Sequence, residues 1–179
     1  MAAPLDTYRK DQKYGSGHGY GRRVGALWVP GRTGKPLSII IHATHGRAGS
    51  TSDAEARFLR DSPDVSAHYL MARDGRTFRI LPDEHVAWHA GECQPLYRND
   101  TSIGIEIHAA VTEAITGPQK VALADLLRAL TAQWAIVPSN IASHRAVALP
   151  PGRKSDPAMW PDAELRGWIE GVLTCAPPA

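Results

Sequence analysis

The sequence predicts an α/β protein, a single-domain mixed β-sheet flanked by α-helices. Three observations predict it. Short runs of β-branched and aromatic residues (SIIIHA, AHYLM, SIGIEI) recur between stretches of helical periodicity, which describes a sheet with helices packed on it. One stretch, PQKVALADLLRALTAQW, repeats apolar residues at helical spacing over more than four turns. The chain, at 179 residues, is long enough for one domain with a proper core and shows no internal repeat.

Residues 1–24 are rich in Gly, Tyr and basic residues without an apolar period, and read as an arm or extended loop before the domain proper at 25–173. His18, in GSGHGYG, sits in a flexible context and is not favoured as a ligand. The first strand is expected over Leu37–Ala43. Ser52-Asp53-Ala54-Glu55 fits a capping box that opens a short helix through EARFLR, ended by Pro63. VSAHYLMARDGRTFRIL reads as two strands joined at Asp74-Gly75, a hairpin turn signal, and HVAWHAGEC adds a short apolar piece. A further strand follows in NDTSIGIEIHAA, with Ile103, Ile105 and Ile107 in alternation. The long helix carries Leu123, Leu126 or Leu127, Leu130 and Trp134 on one face, with Pro118 in its first turn. After a turn at VPSN, the segment IASHRAVALPPGRKSDPAMWP is too rich in Pro and Gly for a long element. DAELRGWIEGVL forms a terminal helix, and residues 174–179 are a Pro-rich tail or the start of a linker.

Charge and composition exclude several classes. A net charge of +2 and a pI near 8.6 suit an anionic surface as partner but lack the dense basic stripe of a nucleic-acid binder. No apolar run approaches the roughly 20 residues of a membrane span, so no membrane insertion is expected. The N-terminus lacks the apolar region of a signal peptide, which implies synthesis in the cytoplasm. Cys93 and Cys175 form no C-x-x-C pair; two free thiols in a reducing compartment are the default, with a disulfide between them as the alternative.

Three regions are candidates for chemistry. Seven of the eight histidines, His42, His45, His68, His85, His89, His108 and His144, fall near strand ends. Neutral imidazoles converging with a carboxylate would hold zinc, but spacing alone does not separate that from core and surface histidines. Glu106 lies between Ile105 and Ile107, so in a strand it points away from both, either to a wetted face or into a site where its pKa would be raised. Lys154 and Asp156 are two residues apart and share a face in an extended segment; a solvated charge cluster is the alternative.

Taken together, IIIHATHG, VSAHYLMARDG, WHAG, NDTSIGIEI and SHRAVALPPGRKSDP, in this order over about residues 37–173, resemble the type 2 N-acetylmuramoyl-L-alanine amidases. That zinc-dependent family includes phage endolysins, muropeptide-recycling amidases and peptidoglycan recognition proteins. The resemblance implies one Zn2+ per chain, with His42, His144 and Asp156 as ligands in an open groove at the sheet edge. It implies Glu106 as the acidic catalytic residue and Lys154 as the lysine that stabilises the transition state. His68, Trp88 and His89 match positions lining the cleft, and Trp88 and Tyr69 are candidates to pack on sugar or peptide in the groove, with core packing as the alternative for both. His45, for which the family supplies no role, is placed either beside the ligands or in the substrate groove. His108-Ala109-Ala110 departs from the polar or glycine pattern of many relatives, and the N-terminal arm has no counterpart. Neither cysteine falls on a ligand position.

The implied reaction is hydrolysis of the amide between the lactyl group of N-acetylmuramic acid and L-alanine in peptidoglycan or a muropeptide. Zinc would bring the pKa of water toward roughly 7. Glu106 would act as base and then acid, and Lys154 would offset the oxyanion. An endolysin released to the wall through a holin is the favoured role, although a single catalytic domain without a leader also fits a recycling amidase. Three readings compete with the endolysin. One is a recycling amidase in the cytoplasm, and another a binding module that has lost its zinc. A structural zinc protein, the third, would need a fourth ligand that the sequence does not supply. A monomer without nucleic-acid partners is expected.

Overall fold

The computed structural model describes residues 5–7, 28–29, 31–46, 49–62 and 64–174. In chain order its elements are β1 (Leu5–Thr7), β2 (Trp28–Val29), β3 (Ser38–Ala43), α1 (Ser52–Asp61), β4 (Tyr69–Met71), β5 (Thr77–Arg79), β6 (Val86–Ala87), β7 (Ser102–Ile107), α2 (Gly117–Trp134), β8 (Ile141–Ser143), α3 (His144–Val147) and α4 (Asp162–Thr174). Six strands form a mixed sheet in the order β1-β5-β4-β7-β3-β8, antiparallel only at β4–β5, while β2 and β6 pair antiparallel on their own. The fold is therefore the mixed α/β sheet that the alternation predicts. Among the described residues no helix is long and apolar enough to cross a membrane.

Strand parity divides the sheet into two faces with different duties. Ile39, Ile41, Ile103, Ile105, Ile107, Tyr69 and Met71 point to the rear, where Leu123, Leu126, Leu127 and Leu130 of α2 and Leu165 and Ile169 of α4 cover them. Each of these fully buried isoleucines contributes roughly 1.5–3 kcal/mol through the area it removes from water. On the front, Leu70 packs beneath α1 with Ala56, Leu59 and Phe78. Ile40 packs beneath Ala90, Cys93, Tyr97, Val147 and Ala148. The strip left between these two front clusters carries His42 and Glu106, which are partners in the parallel β3–β7 register.

Several elements differ from the sequence reading in instructive ways. The N-cap of α1 is Thr51, whose hydroxyl accepts from the Ala54 N–H, one residue before the expected Ser52. Ser52 is unavailable because its hydroxyl lies 2.7 Å from Nδ1 of His108 and accepts from the Arg73 N–H. A capping box does occur at α2, between Thr116 and Gln119. β8 and α3 occupy a segment in which no long element is expected, and both are short. Part of the N-terminal arm, Leu5–Thr7, is a strand parallel to β5. Cys93 is a free, buried thiol, so it forms no disulfide; Cys175 lies outside the described residues, as does His18. The hairpin follows expectation, with Gly75 at φ 89° in its turn, a conformation glycine adopts without steric cost.

Candidate metal and catalytic site

The C-terminal ends of β3 and β7 lie side by side, and the edge strand β8 runs parallel on the other flank of β3. His42 is the penultimate residue of β3 and faces the front. β8 ends at Ser143, whose hydroxyl caps α3 by accepting from the Ala146 N–H, so His144 enters at the first helical position beside β3. Asp156 arrives from the Pro-rich loop that follows, anchored where its carbonyl accepts from the Arg145 N–H at 2.9 Å. Three side chains more than a hundred residues apart at the extremes thus meet.

Their donor atoms converge. Oδ2 of Asp156 lies 3.1 Å from Nδ1 of His42 and 3.0 Å from Nδ1 of His144. The three atoms fall within 4.8 Å of one another, and all three residues are buried. Tetrahedral zinc with bonds of about 2.0–2.1 Å sets neighbouring ligand atoms about 3.3–3.4 Å apart, so this spacing suits the ion. The outer nitrogens agree. Nε2 of His144 is 2.9 Å from the Ala90 carbonyl, to which it can only donate, and that leaves Nδ1 as the lone pair directed at the centre. Two imidazoles and one carboxylate would leave a dication one net positive charge and an open fourth position, so the donor set fits a catalytic rather than a closed site.

Electrostatics set the protonation of the metal-free cluster. Burial pushes His42 down to about 4, aided by the charge of His144 and opposed by its hydrogen bond to Asp156. Burial also works against a charged His144, yet the Asp156 carboxylate and the Cys93 side chain raise it to about 9. Asp156 is held well below the usual carboxylate range: burial opposes its ionisation, but the contacts from His144 and His42 outweigh it. Glu106 is driven the other way, up to about 8, first by burial and then by the negative charge of Asp156. Its Oε2 is buried with no hydrogen-bond partner among the described residues, although the residue as a whole keeps partial exposure. Lys154 is exposed, and its charge contributes to lowering both His42 and Glu106.

The cleft-lining expectations divide. Trp88, His89 and His45 keep partial exposure; His45 adopts φ 48° in the turn after β3, and its Nε2 is buried without a partner among the described residues. Tyr69 does not line the cleft. It pairs with Ile105 in the β4–β7 register, faces the rear at 4% exposure and donates to Asp83 at 2.6 Å. His68 is also not a cleft residue: it is fully buried, its Nδ1 accepts from the Gly104 N–H, and burial together with the Arg32 guanidinium lowers its pKa to about 3. Three contributors escape a reading of the sequence: the Ala90 carbonyl, Asn99, and Ser102. Asn99 Oδ1 accepts from the N–H groups of both His89 and Ala90. Gly104, a glycine inside a strand, signals a close approach of this kind, and it is the His89 ring that lies against it.

Comparison with known proteins points in one direction. A family model described as N-acetylmuramoyl-L-alanine amidase matches residues 32–159, which span all of the residues just described. The 1,6-anhydro-N-acetylmuramyl-L-alanine amidase AmpD of Salmonella typhimurium strain SL1344 is 36% identical over 139 residues, covering 74% of this chain and 71% of the relative. Among solved structures, a selenomethionine derivative of AmpD superposes with a TM-score of 0.68 at 27% identity, over 86% of this chain and 94% of that one. A mutant endolysin from Bacillus subtilis superposes with a TM-score of 0.67 over 94% of this chain and 99% of that one; at 24% identity the likeness is one of fold.

Proposed function

The chain belongs to the N-acetylmuramoyl-L-alanine amidase family, and we propose that it is a zinc enzyme that cuts the amide between the lactyl group of N-acetylmuramic acid and L-alanine in soluble, anhydro-type muropeptides. The observation that carries this reading is the convergence of His42, His144 and Asp156 beside an unpartnered, buried Glu106 carboxyl. A binding module without catalysis has no need of that set. The muropeptide preference rests on the sequence relatives, which are named for the 1,6-anhydro form, against a likeness to an endolysin that extends to fold alone. It displaces the wall-lysis role expected from the sequence.

His42, His144 and Asp156 would hold the zinc ion, which would supply Lewis acidity for the amide carbonyl and lower the pKa of water there. The protein supplies the rest. Glu106 projects from β7 level with His42, and Oε2 takes the proton of the attacking water and returns it to the departing amine nitrogen of L-alanine. The front-facing carboxyl beside the cluster is placed to serve both directions of that transfer. Lys154 brings a positive charge to the exposed side, where negative charge develops on the carbonyl oxygen. Burial of the three ligand residues keeps bulk water from screening these interactions.

The test is elemental analysis of the purified protein, followed by hydrolysis of an anhydro-muropeptide and of intact sacculi, each before and after chelation. One zinc per chain is expected, with muropeptide cleavage lost on chelation, restored by zinc, and far faster than release from sacculi. Cleavage that survives complete removal of metal overturns the zinc reading. Faster action on sacculi returns the protein to the lytic role.

A further inference from the structure

His89 lies on the front of the sheet, pressed against Gly104 so closely that a Cβ added there would sit 2.5 Å from its ring carbon and 2.6 Å from Nδ1. The ring meets His42 edge to face at 5.1 Å and His68 at 5.7 Å. Asn99 Oδ1 clamps the turn by accepting from the backbone N–H groups of His89 at 3.1 Å and Ala90 at 2.8 Å. This is a fixed ring, built in from three sides, and the reaction as described above does not use it.

Hydrogen-bond donors and acceptors along the ring determine where the protons sit. The Ser102 hydroxyl has one proton, and it is committed to the Arg98 carbonyl at 2.6 Å. Toward Nε2 of His89, 3.3 Å away, that hydroxyl therefore offers a lone pair, so Nε2 carries the proton. Nδ1 of a neutral His89 is then bare and accepts. It lies 3.0 Å from Nε2 of His42, which must donate. With a cation at the cluster, a neutral His42 that donates from Nε2 turns an Nδ1 lone pair toward His144 and Asp156, in place of the Nδ1–H that Asp156 accepts in the metal-free protein.

We propose that His89 is a positioning residue of the metal site, which fixes His42 as the Nε2–H tautomer and aims its Nδ1 lone pair at the ion. The proposal rests on the reading of His42, His144 and Asp156 as metal ligands. The second imidazole receives the same service from the next residue in the chain, since His144 donates from Nε2 to the Ala90 carbonyl. One turn, clamped by Asn99, sets the tautomers of both histidine ligands. Outer partners of this kind typically hold 10- to 100-fold in metal affinity.

The experiment titrates zinc against a chromophoric chelator into metal-free wild-type protein, His89→Phe and His89→Asn, with circular dichroism to verify folding. Phenylalanine keeps a ring on Gly104 but removes the acceptor, whereas asparagine keeps an acceptor near the position of Nδ1. Zinc binding about 10- to 100-fold weaker in His89→Phe, with recovery to within about threefold of wild type in His89→Asn, is the expected result. Equal affinity in wild type and His89→Phe overturns the proposal, and so does an equal loss in both variants, which would mark a packing role. A measurement on the wild type alone covers the case in which a variant does not fold. Nitrogen-15 NMR of the zinc-loaded protein should find the protons of both His42 and His89 on Nε2, and a proton on Nδ1 of His89 overturns the proposal. Failure of the wild type to bind zinc at all would refute the ligand reading itself, an outcome distinct from any of these.

Discussion

Replacing Glu106 by glutamine in the metal-free protein isolates the effect of burying this carboxyl. In the folded state its pKa is raised to about 8 from an ordinary value of 4.5, by burial and then by the charge of Asp156. Below pH 4.5 the folded and unfolded states both keep the proton, and the stabilisation is fully present. As the pH rises through the interval to 8, the unfolded chain ionises while the folded protein does not, so stability falls. Between pH 5 and pH 8 the loss amounts to about 3–4 kcal/mol for a shift from 4.5 to 8. Residual contact with solvent makes that an upper figure, and about 2 kcal/mol is the working expectation. Glutamine has no proton to lose and does not contribute this slope. Urea unfolding of both proteins at several pH values reads it directly: with a slope of about 2 kcal/mol per molar, the wild-type midpoint should drop by about 1 M relative to Glu106→Gln over this range. The other titrating groups cancel in the difference. Parallel stability curves for the two proteins between pH 5 and pH 8 would refute the burial argument and the raised pKa with it.

Five substitutions separate the roles. His42→Ala and Asp156→Ala should each lose bound zinc and muropeptide hydrolysis together, by elemental analysis and by chromatographic assay of released peptide. Glu106→Gln should keep its zinc and lose about 10²- to 10⁴-fold in turnover, the usual contribution of general acid–base catalysis. Lys154→Ala should also keep zinc, with kcat reduced by about 10²- to 10³-fold if the ammonium stabilises the oxyanion. Tyr69→Phe tests the reassignment of that residue to the rear core: leaving the buried Asp83 short of one donor should cost roughly 1–3 kcal/mol of stability, with kcat and KM unchanged below the melting transition.

The legible parts of the fold are those in which local pattern and tertiary environment agree. Alternation at Ile103, Ile105 and Ile107 marks the rear face of β7, and that parity alone turns Glu106 to the front. Tyr69 shows where parity runs out. Its face depends on pairing with Ile105 rather than Glu106, a register between segments more than thirty residues apart that no local pattern encodes. The cap of α1 slips by one residue because the Ser52 hydroxyl is drawn to His108, again a distant partner. β8 is three residues long and is held by its pairing with β3, so its own composition carries little signal. His42, His144 and Asp156 become legible as candidate ligands only through their resemblance to a family. Spacing alone left them open because the distances that matter arise from β3 and β8 lying side by side.

Asp156 and Glu106 make an unequal pair of carboxyls under one face of the sheet, and the inequality explains how the site holds its charge. The negative charge of Asp156 opposes ionisation of Glu106 in this buried setting. Asp156 keeps the charge because two imidazole nitrogens meet its Oδ2, at 3.1 and 3.0 Å, whereas Oε2 of Glu106 has no partner among the described residues. The proton on Glu106 is therefore in part a consequence of the charge on Asp156. Asp156→Asn should lower the pKa of Glu106 and flatten the decline of stability between pH 5 and pH 8, measured by the same urea titrations against the Asp156→Asn, Glu106→Gln double variant. A slope as steep as that of the wild type would show burial acting alone. A bound dication would act in the same sense as the substitution, by offsetting the charge of Asp156 and releasing Glu106 to ionise. Loading the protein with zinc should then erase most of the difference between the wild type and Glu106→Gln. In that arrangement the base becomes competent when the ligands are occupied, and a metal-free site keeps its carboxyl protonated.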